Sequence, residues 1–160
     1  MTMPFLPPSG FSGVQREFGS FSFHDLSGGN VQIEGTWETQ NLITLRNVCG
    51  TGLNIRLHKR LAVWFAESLG AAMKAAPAYR VRMLGGFCSR HKNHNPKEAL
   101  SVHSWGAAFD VNWDTNPMSK VLVTDLPPEF VKAFSERGWQ WGGGWAGSKD
   151  AMHFQFATGV

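Results

Sequence analysis

Apolar residues recur at spacings of three and four through 57–76, where Leu61, Trp64, Phe65, Leu69, Ala72, Met73 and Ala76 mark one face of a helix. Pro77 stops it, because proline lacks the N–H that another turn needs. A shorter helix is predicted over 127–138. There Phe130 and Phe134 share a face, Pro127 and Pro128 suit a first turn, and Gly138 suits a C-terminal cap. Strand-like runs occur at "NVQIEGTWE" (30–38), "NLITLRNV" (41–48), "YRVRMLGG" (79–86), "GAAFDVNW" (106–113) and "MHFQF" (152–156). Residues 1–30 are rich in Pro, Gly, Ser and Phe, show no period, and read as an extended N-terminal arm before a folded domain over 31–160. Strands and helices mix without regular βαβ alternation, and no repeat or linker is visible. The prediction is an α+β fold: a single small domain with a central, mostly antiparallel sheet and flanking helices.

At 160 residues, 42% hydrophobic and 17% charged, the chain is long and apolar enough to bury a core, which excludes a disordered segment. The net charge of +3 mildly favours approach to a polyanion, whether nucleic acid, anionic lipid or bacterial wall polymer. Long Lys/Arg runs are missing, so nucleic acid is not an expected partner. No uncharged apolar run is long enough to span a bilayer, so membrane insertion is not expected either. The start "MTMPFLPPSGFSGVQ" lacks the basic residues and apolar run of a signal peptide, so the expectation is synthesis in the cytoplasm and another exit route if the protein acts outside. Cys49 and Cys88 are too far apart for a CxxC motif; a disulfide is open to them, and buried free thiols are the plainer reading. A monomer is expected.

Two aspartate–histidine pairs change the picture. In "SVHSWGAAFDVNWD" (101–114), His103 and Asp110 lie seven apart, and in "DAMHFQF" (150–156), Asp150 and His153 lie three apart. With 106–113 as a strand, alternation sends Phe109 and Val111 to the core and Ala108, Asp110 and Asn112 to the opposite face. Gly106 would let the chain turn back from His103. In "MHFQF" the same alternation buries Met152, Phe154 and Phe156 and turns His153 and Gln155 outward. Two neighbouring strands could thus bring His103, Asp110 and His153 to one point. Two imidazoles and a carboxylate, with water in the fourth position, make an open catalytic zinc site. Asp150 would then be the base that is not a ligand. A buried His–Asp hydrogen bond and a turn aspartate after "GSK" would give the same spacings.

On these residues the chain resembles the zinc D-alanyl-D-alanine peptidases, which include VanY-type carboxypeptidases, VanX-type dipeptidases and phage endolysins that cut the L-alanyl-D-glutamate bond. The family pattern S-x-H-x-x-G-x-A-x-D is matched by Ser101, His103, Gly106, Ala108 and Asp110, and its acidic-x-x-His element by Asp150 and His153, with Asp where many members carry Glu. "GWQWGGGWAGSKDAMHFQF" and "GGFCSR" also resemble segments of the family. The resemblance implies a hedgehog/DD-peptidase-like fold, one catalytic Zn2+ on His103, Asp110 and His153, and Asp150 as catalytic base. It gives Arg90 the role of polarising the substrate carbonyl or binding a carboxylate, with Arg80, Arg82 and Lys92 as competitors, and Ser101 that of contacting the substrate backbone. The implied partner is the peptidoglycan stem peptide, in an endolysin-like wall hydrolase of a phage or prophage acting at the cell wall or periplasm. The competing reading is a non-catalytic zinc module that binds wall or a protein partner. A structural zinc domain would need a fourth ligand, His91 or His94. Those two are read as exposed loop residues and His58 as lying on a solvated helix face. His24 is read as lacking a partner, and one or two of the tryptophans from Trp105 to Trp145 as a substrate wall.

Overall fold

The computed structural model describes residues 3–160. In chain order its elements are α1 (Gly10–Phe18), β1 (Phe23–Asp25), β2 (Val31–Ile33), α2 (Trp37–Asn41), β3 (Leu42–Leu45), β4 (Ile55–His58), α3 (Lys59–Ala75) and β5 (Leu84–Gly85). They continue with β6 (Ala108–Val111), β7 (Met118–Ser119), α4 (Pro128–Ser135), β8 (Gln140–Trp141), β9 (Lys149–Asp150) and β10 (His153–Gln155). A four-stranded sheet of order β5-β6-β10-β8 lies at the centre, with the two-stranded pairs β1-β2, β3-β4 and β7-β9 around it. These strand pairings are antiparallel. The fold is a small single-domain α+β structure.

The core forms where the apolar spacing puts it. Leu61, Phe65 and Leu69 of α3 and Phe130 and Phe134 of α4 are fully buried. They meet the inner face of the central sheet: the Phe65 ring lies 4.8 Å from Phe109, and Phe109 lies 4.8 Å from Phe134. Each such side chain stabilises the fold by about 1.5–3 kcal/mol. Two apolar faces therefore clamp β6 and β10 from one side and leave the other side of those strands for polar residues.

Several local expectations are corrected. The expected extended arm over 1–30 contains a helix, α1, whose Val14 and Phe18 are buried in the core, and a strand, β1, that pairs with β2. Residues 1 and 2 lie outside the described residues. Gly10 and Gly13 give α1 low intrinsic propensity, so burial of its apolar face holds it. In 79–86 only β5 pairs as a strand. The run before it is held instead by Asn112, whose Oδ1 accepts from the backbone N–H groups of Arg82 at 2.8 Å and Met83 at 3.0 Å. Asn112 is itself buried and at φ 43°, so β6 ends before it. Both cysteines are free and exposed, against the expectation of buried thiols: Cys49 lies in a left-handed turn and Cys88 on a cleft wall.

His58 is not on a solvated helix face; it is 1% exposed at the start of α3. Its Nε2–H donates to the Phe18 carbonyl at 3.1 Å, and its Nδ1 accepts from the Arg60 N–H at 3.3 Å, so the neutral ring satisfies both partners. Burial pushes its pKa down to about 4, and the hydrogen bond to Phe18 opposes that only partly. Between that value and the ordinary 6.5 the unfolded chain binds the extra proton, so stability falls as pH falls through this window. The full loss amounts to roughly 3 kcal/mol. His91 acts with the opposite sign, its pKa raised by Asp25, but Asp25 is 58% exposed and water screens the pair. Denaturant unfolding between pH 7 and 4 should show this loss, and His58→Gln should flatten it.

Candidate metal centre

In the antiparallel pairing of β6 with β10, His153 stands directly opposite Asp110 and Phe154 opposite Phe109. The two phenylalanine rings stack with centroids 5.0 Å apart on the core side. A slip of one residue would drive Phe154 out of the core and His153 into it, so the packing fixes the register that puts Asp110 and His153 together. His103 arrives from a short 3-10 turn, Val102–Trp105, whose first N–H groups are capped by Ser101: its Oγ accepts from the His103 N–H at 3.3 Å. The chain then reverses at Gly106, with φ 64°. A Cβ there would lie 2.6 Å from the His58 backbone nitrogen, so only glycine fits.

The three ligating atoms form a near-equilateral triangle. His103 Nε2 lies 3.1 Å from His153 Nδ1 and 3.3 Å from Asp110 Oδ1, and His153 Nδ1 lies 3.2 Å from Asp110 Oδ1. The outer ring nitrogens decide where the protons are. His103 Nδ1–H donates to the Gly86 carbonyl at 2.7 Å, and His153 Nε2–H donates to Gln155 Oε1 at 3.0 Å. Each neutral imidazole therefore turns a lone pair inward, where both meet a carboxylate oxygen. Three lone pairs at such distances repel unless a cation lies between them. Tetrahedral zinc with bonds of 2.0–2.1 Å places its ligands about 3.3 Å apart, so the triangle has the size that the ion requires.

Charge behaves accordingly. Burial alone would raise the pKa of Asp110, but the neighbouring His103 and His153 hold its carboxyl well below the usual carboxylate range. Burial alone would lower that of His153, but the hydrogen bond and charge of Asp110, with Asp150 beyond, raise it. The site attracts positive charge, and a proton is the smallest cation that answers. Among the described residues, His103, Asp110 and His153 are the one group of at least three His, Cys, Asp or Glu side chains whose ligand atoms converge.

His103 and His153 are buried, whereas the Asp110 side chain is 22% exposed, so the centre opens onto a cleft of about 840 Å³. Asp150 lines the same cleft from β9, and its Oδ1 is buried without a hydrogen-bond partner. Burial pushes its carboxyl above the ordinary range; the charge of Asp110 adds to this, and His153, His103 and Arg90 oppose it. The triple glycine, a 3-10 turn at Gly142–Gly144, makes room for it: a Cβ on Gly142 would lie 2.5 Å from the Asp150 carbonyl oxygen.

The structure also places the remaining candidates. Arg90 lines the cleft, its Nη1 donates to the His91 carbonyl at 3.2 Å, and among the described residues it has no carboxylate in ion-pair distance. Of its competitors, Lys92 lines the cleft, while Arg82 pairs with Asp114 on the exterior. Ser101 lines the cleft too, although its evident task is capping the turn that carries His103. His91 is buried rather than exposed, donating from Nε2 to Asp25 Oδ1 at 2.9 Å. His94, exposed as expected, reaches the Gly28 carbonyl. Neither joins the triangle, which leaves it without a fourth protein ligand among the described residues. His24, read as lacking a partner, lies 3.3 Å from Glu34 on the exterior.

Trp113 and Trp145 line the cleft, whereas Trp105 and Trp139 belong to the core. Met152, expected to be buried, is half-buried on the cleft, and Gln155, expected to face outward, is buried behind His153.

Residues 94–156 match a family model described as D-alanyl-D-alanine carboxypeptidase. The match supports a metallopeptidase. It spans Ser101, His103, Asp110, Asp150 and His153 and stops short of Arg90 and everything before it. No curated protein and no solved structure matches the chain.

Proposed function

We propose that the protein is a zinc-dependent peptidase that hydrolyses an amide bond in peptidoglycan stem peptides, as a D-alanyl-D-alanine carboxypeptidase or an L-alanyl-D-glutamate endopeptidase. The observation that carries this reading is the triangle of inward lone pairs beside an unpartnered buried carboxylate in an open cleft. His103 Nε2, His153 Nδ1 and Asp110 Oδ1 would hold the ion. Bound there, zinc supplies Lewis acidity, making water a usable nucleophile at neutral pH and polarising a carbonyl oxygen.

The chain's own residues do the rest. Asp150 takes a proton from the attacking water as the new C–O bond forms. It then delivers that proton to the amide nitrogen as the C–N bond breaks. Burial raises its pKa, which favours holding and then returning the proton. Arg90, free of any carboxylate, binds the substrate's carbonyl oxygen or a carboxylate. Ser101 faces the peptide backbone, and Trp113 and Trp145 form an apolar wall for the stem. The setting that fits best is an endolysin-like enzyme of a phage or prophage, acting at the bacterial wall.

Digestion of purified peptidoglycan, with products weighed by mass spectrometry, tests this. Release of single D-alanine residues identifies a carboxypeptidase, and cleavage beside glutamate an endopeptidase. Either should vanish with a chelator and return with zinc. A zinc-loaded protein that releases no product contradicts the proposal.

A further inference from the structure

Resting on the metal-binding reading, we infer that Gln155 is a positioning residue that sets the tautomer of His153 and so keeps its Nδ1 free to ligate. Gln155 is 5% exposed and lies two residues after His153, on the same face of β10. A carboxamide can present either its oxygen or its nitrogen to a neighbour, and here one contact decides. Gln155 Nε2 donates at 3.2 Å to the Ala157 carbonyl, which can only accept. The oxygen Oε1 is therefore the atom 3.0 Å from His153 Nε2, and a carboxamide oxygen can only accept. In the neutral ring the single proton must therefore sit on Nε2, and the lone pair is on Nδ1, pointing at Asp110 Oδ1 and His103 Nε2. A fixed backbone carbonyl thus dictates, through one side chain, which nitrogen of His153 is available. For His103 the Gly86 carbonyl does the same directly, without an intermediary.

Space for this amide comes from the neighbouring strand. Ala108 stands directly opposite Gln155 in the β6–β10 register and is fully buried. Opposite residues of an antiparallel pair have Cβ atoms about 5 Å apart, so a larger residue at 108 would crowd the carboxamide. The small side chain of Ala108 therefore leaves room for the Gln155 carboxamide behind His153.

The test uses Gln155→Leu, which keeps the bulk and removes both polar atoms, and Gln155→Glu, which keeps the acceptor. Two readouts are taken: zinc affinity by chelator competition, and the 15N shifts of the His153 ring in metal-free protein at alkaline pH. In Q155L the affinity should fall about 10–100-fold and the ring should lose its single Nε2–H form. Q155E should keep that form. Unchanged affinity in Q155L, an unchanged His153 tautomer in Q155L, or a proton moved to Nδ1 in Q155E would each overturn the inference. The ring shifts are read without metal, so they decide it even if the unaltered protein binds no zinc, an outcome that would count against the proposed function instead.

Discussion

Asp150→Asn is expected to keep zinc and the fold while turnover on peptidoglycan falls roughly 10²–10⁴-fold, the usual contribution of a positioned acid–base group. The substitution preserves shape and removes only the ability to take and return a proton. Because Asp150 Oδ1 has no hydrogen-bond partner, no contact within the fold is broken by it. Replacing a half-buried, unpaired carboxylate with a neutral amide relieves a desolvation cost, so the melting temperature should hold or rise. That combination separates catalysis from packing: a residue kept for stability would lose both together. It also separates an enzyme from a zinc module that only binds wall. Wall binding should survive the change, and kcat measured on isolated stem peptide should not. Turnover equal to that of the unaltered protein would remove Asp150 from the mechanism.

His153→Ala is expected to remove both zinc and activity. Two ligands cannot hold the ion as three do, and His153 Nδ1 forms one corner of the triangle. In the unaltered protein zinc should raise the melting temperature, since an ion that binds only the folded chain at 100 times its Kd adds about 2.7 kcal/mol. This gain should grow as pH rises, because protons and zinc compete for the same lone pairs and ligation releases protons. Burial opposes protonation of His153, but Asp110 outweighs it and raises the pKa, which widens the pH range of that competition. In His153→Ala the zinc-dependent gain should disappear. Calorimetric scans with and without zinc, at several pH values, read all of this out.

How legible the site was depends on how local its causes are. Strand alternation around Phe109 and Phe154 announced which face Asp110 and His153 would take, because core burial enforces the period. Their direct pairing was not written in either run alone; the register comes from the packing of both against α3 and α4. Gln155 was visible as a neighbour of His153 on the same face. Its role depends on the Ala157 carbonyl, which only the folded backbone brings into reach. The burial of His58 and His91 is not legible locally, because their partners, Phe18 and Asp25, lie 40 and 66 residues away in sequence. The helix α1 did carry a signal, with Phe11, Val14 and Phe18 at spacings of three and four, but its glycines masked it. The N-terminal hairpin proves relevant to the site, since Val31 pairs with Ser89 and Asn30 bridges to Arg90, tethering the loop that carries the arginine.

The most direct test is a zinc-edge anomalous diffraction map from crystals grown with the metal. A single peak is expected within about 2.0–2.2 Å of His103 Nε2, His153 Nδ1 and Asp110 Oδ1, with the fourth position open to the cleft. A peak elsewhere, or a fourth protein side chain closing the coordination, would contradict it.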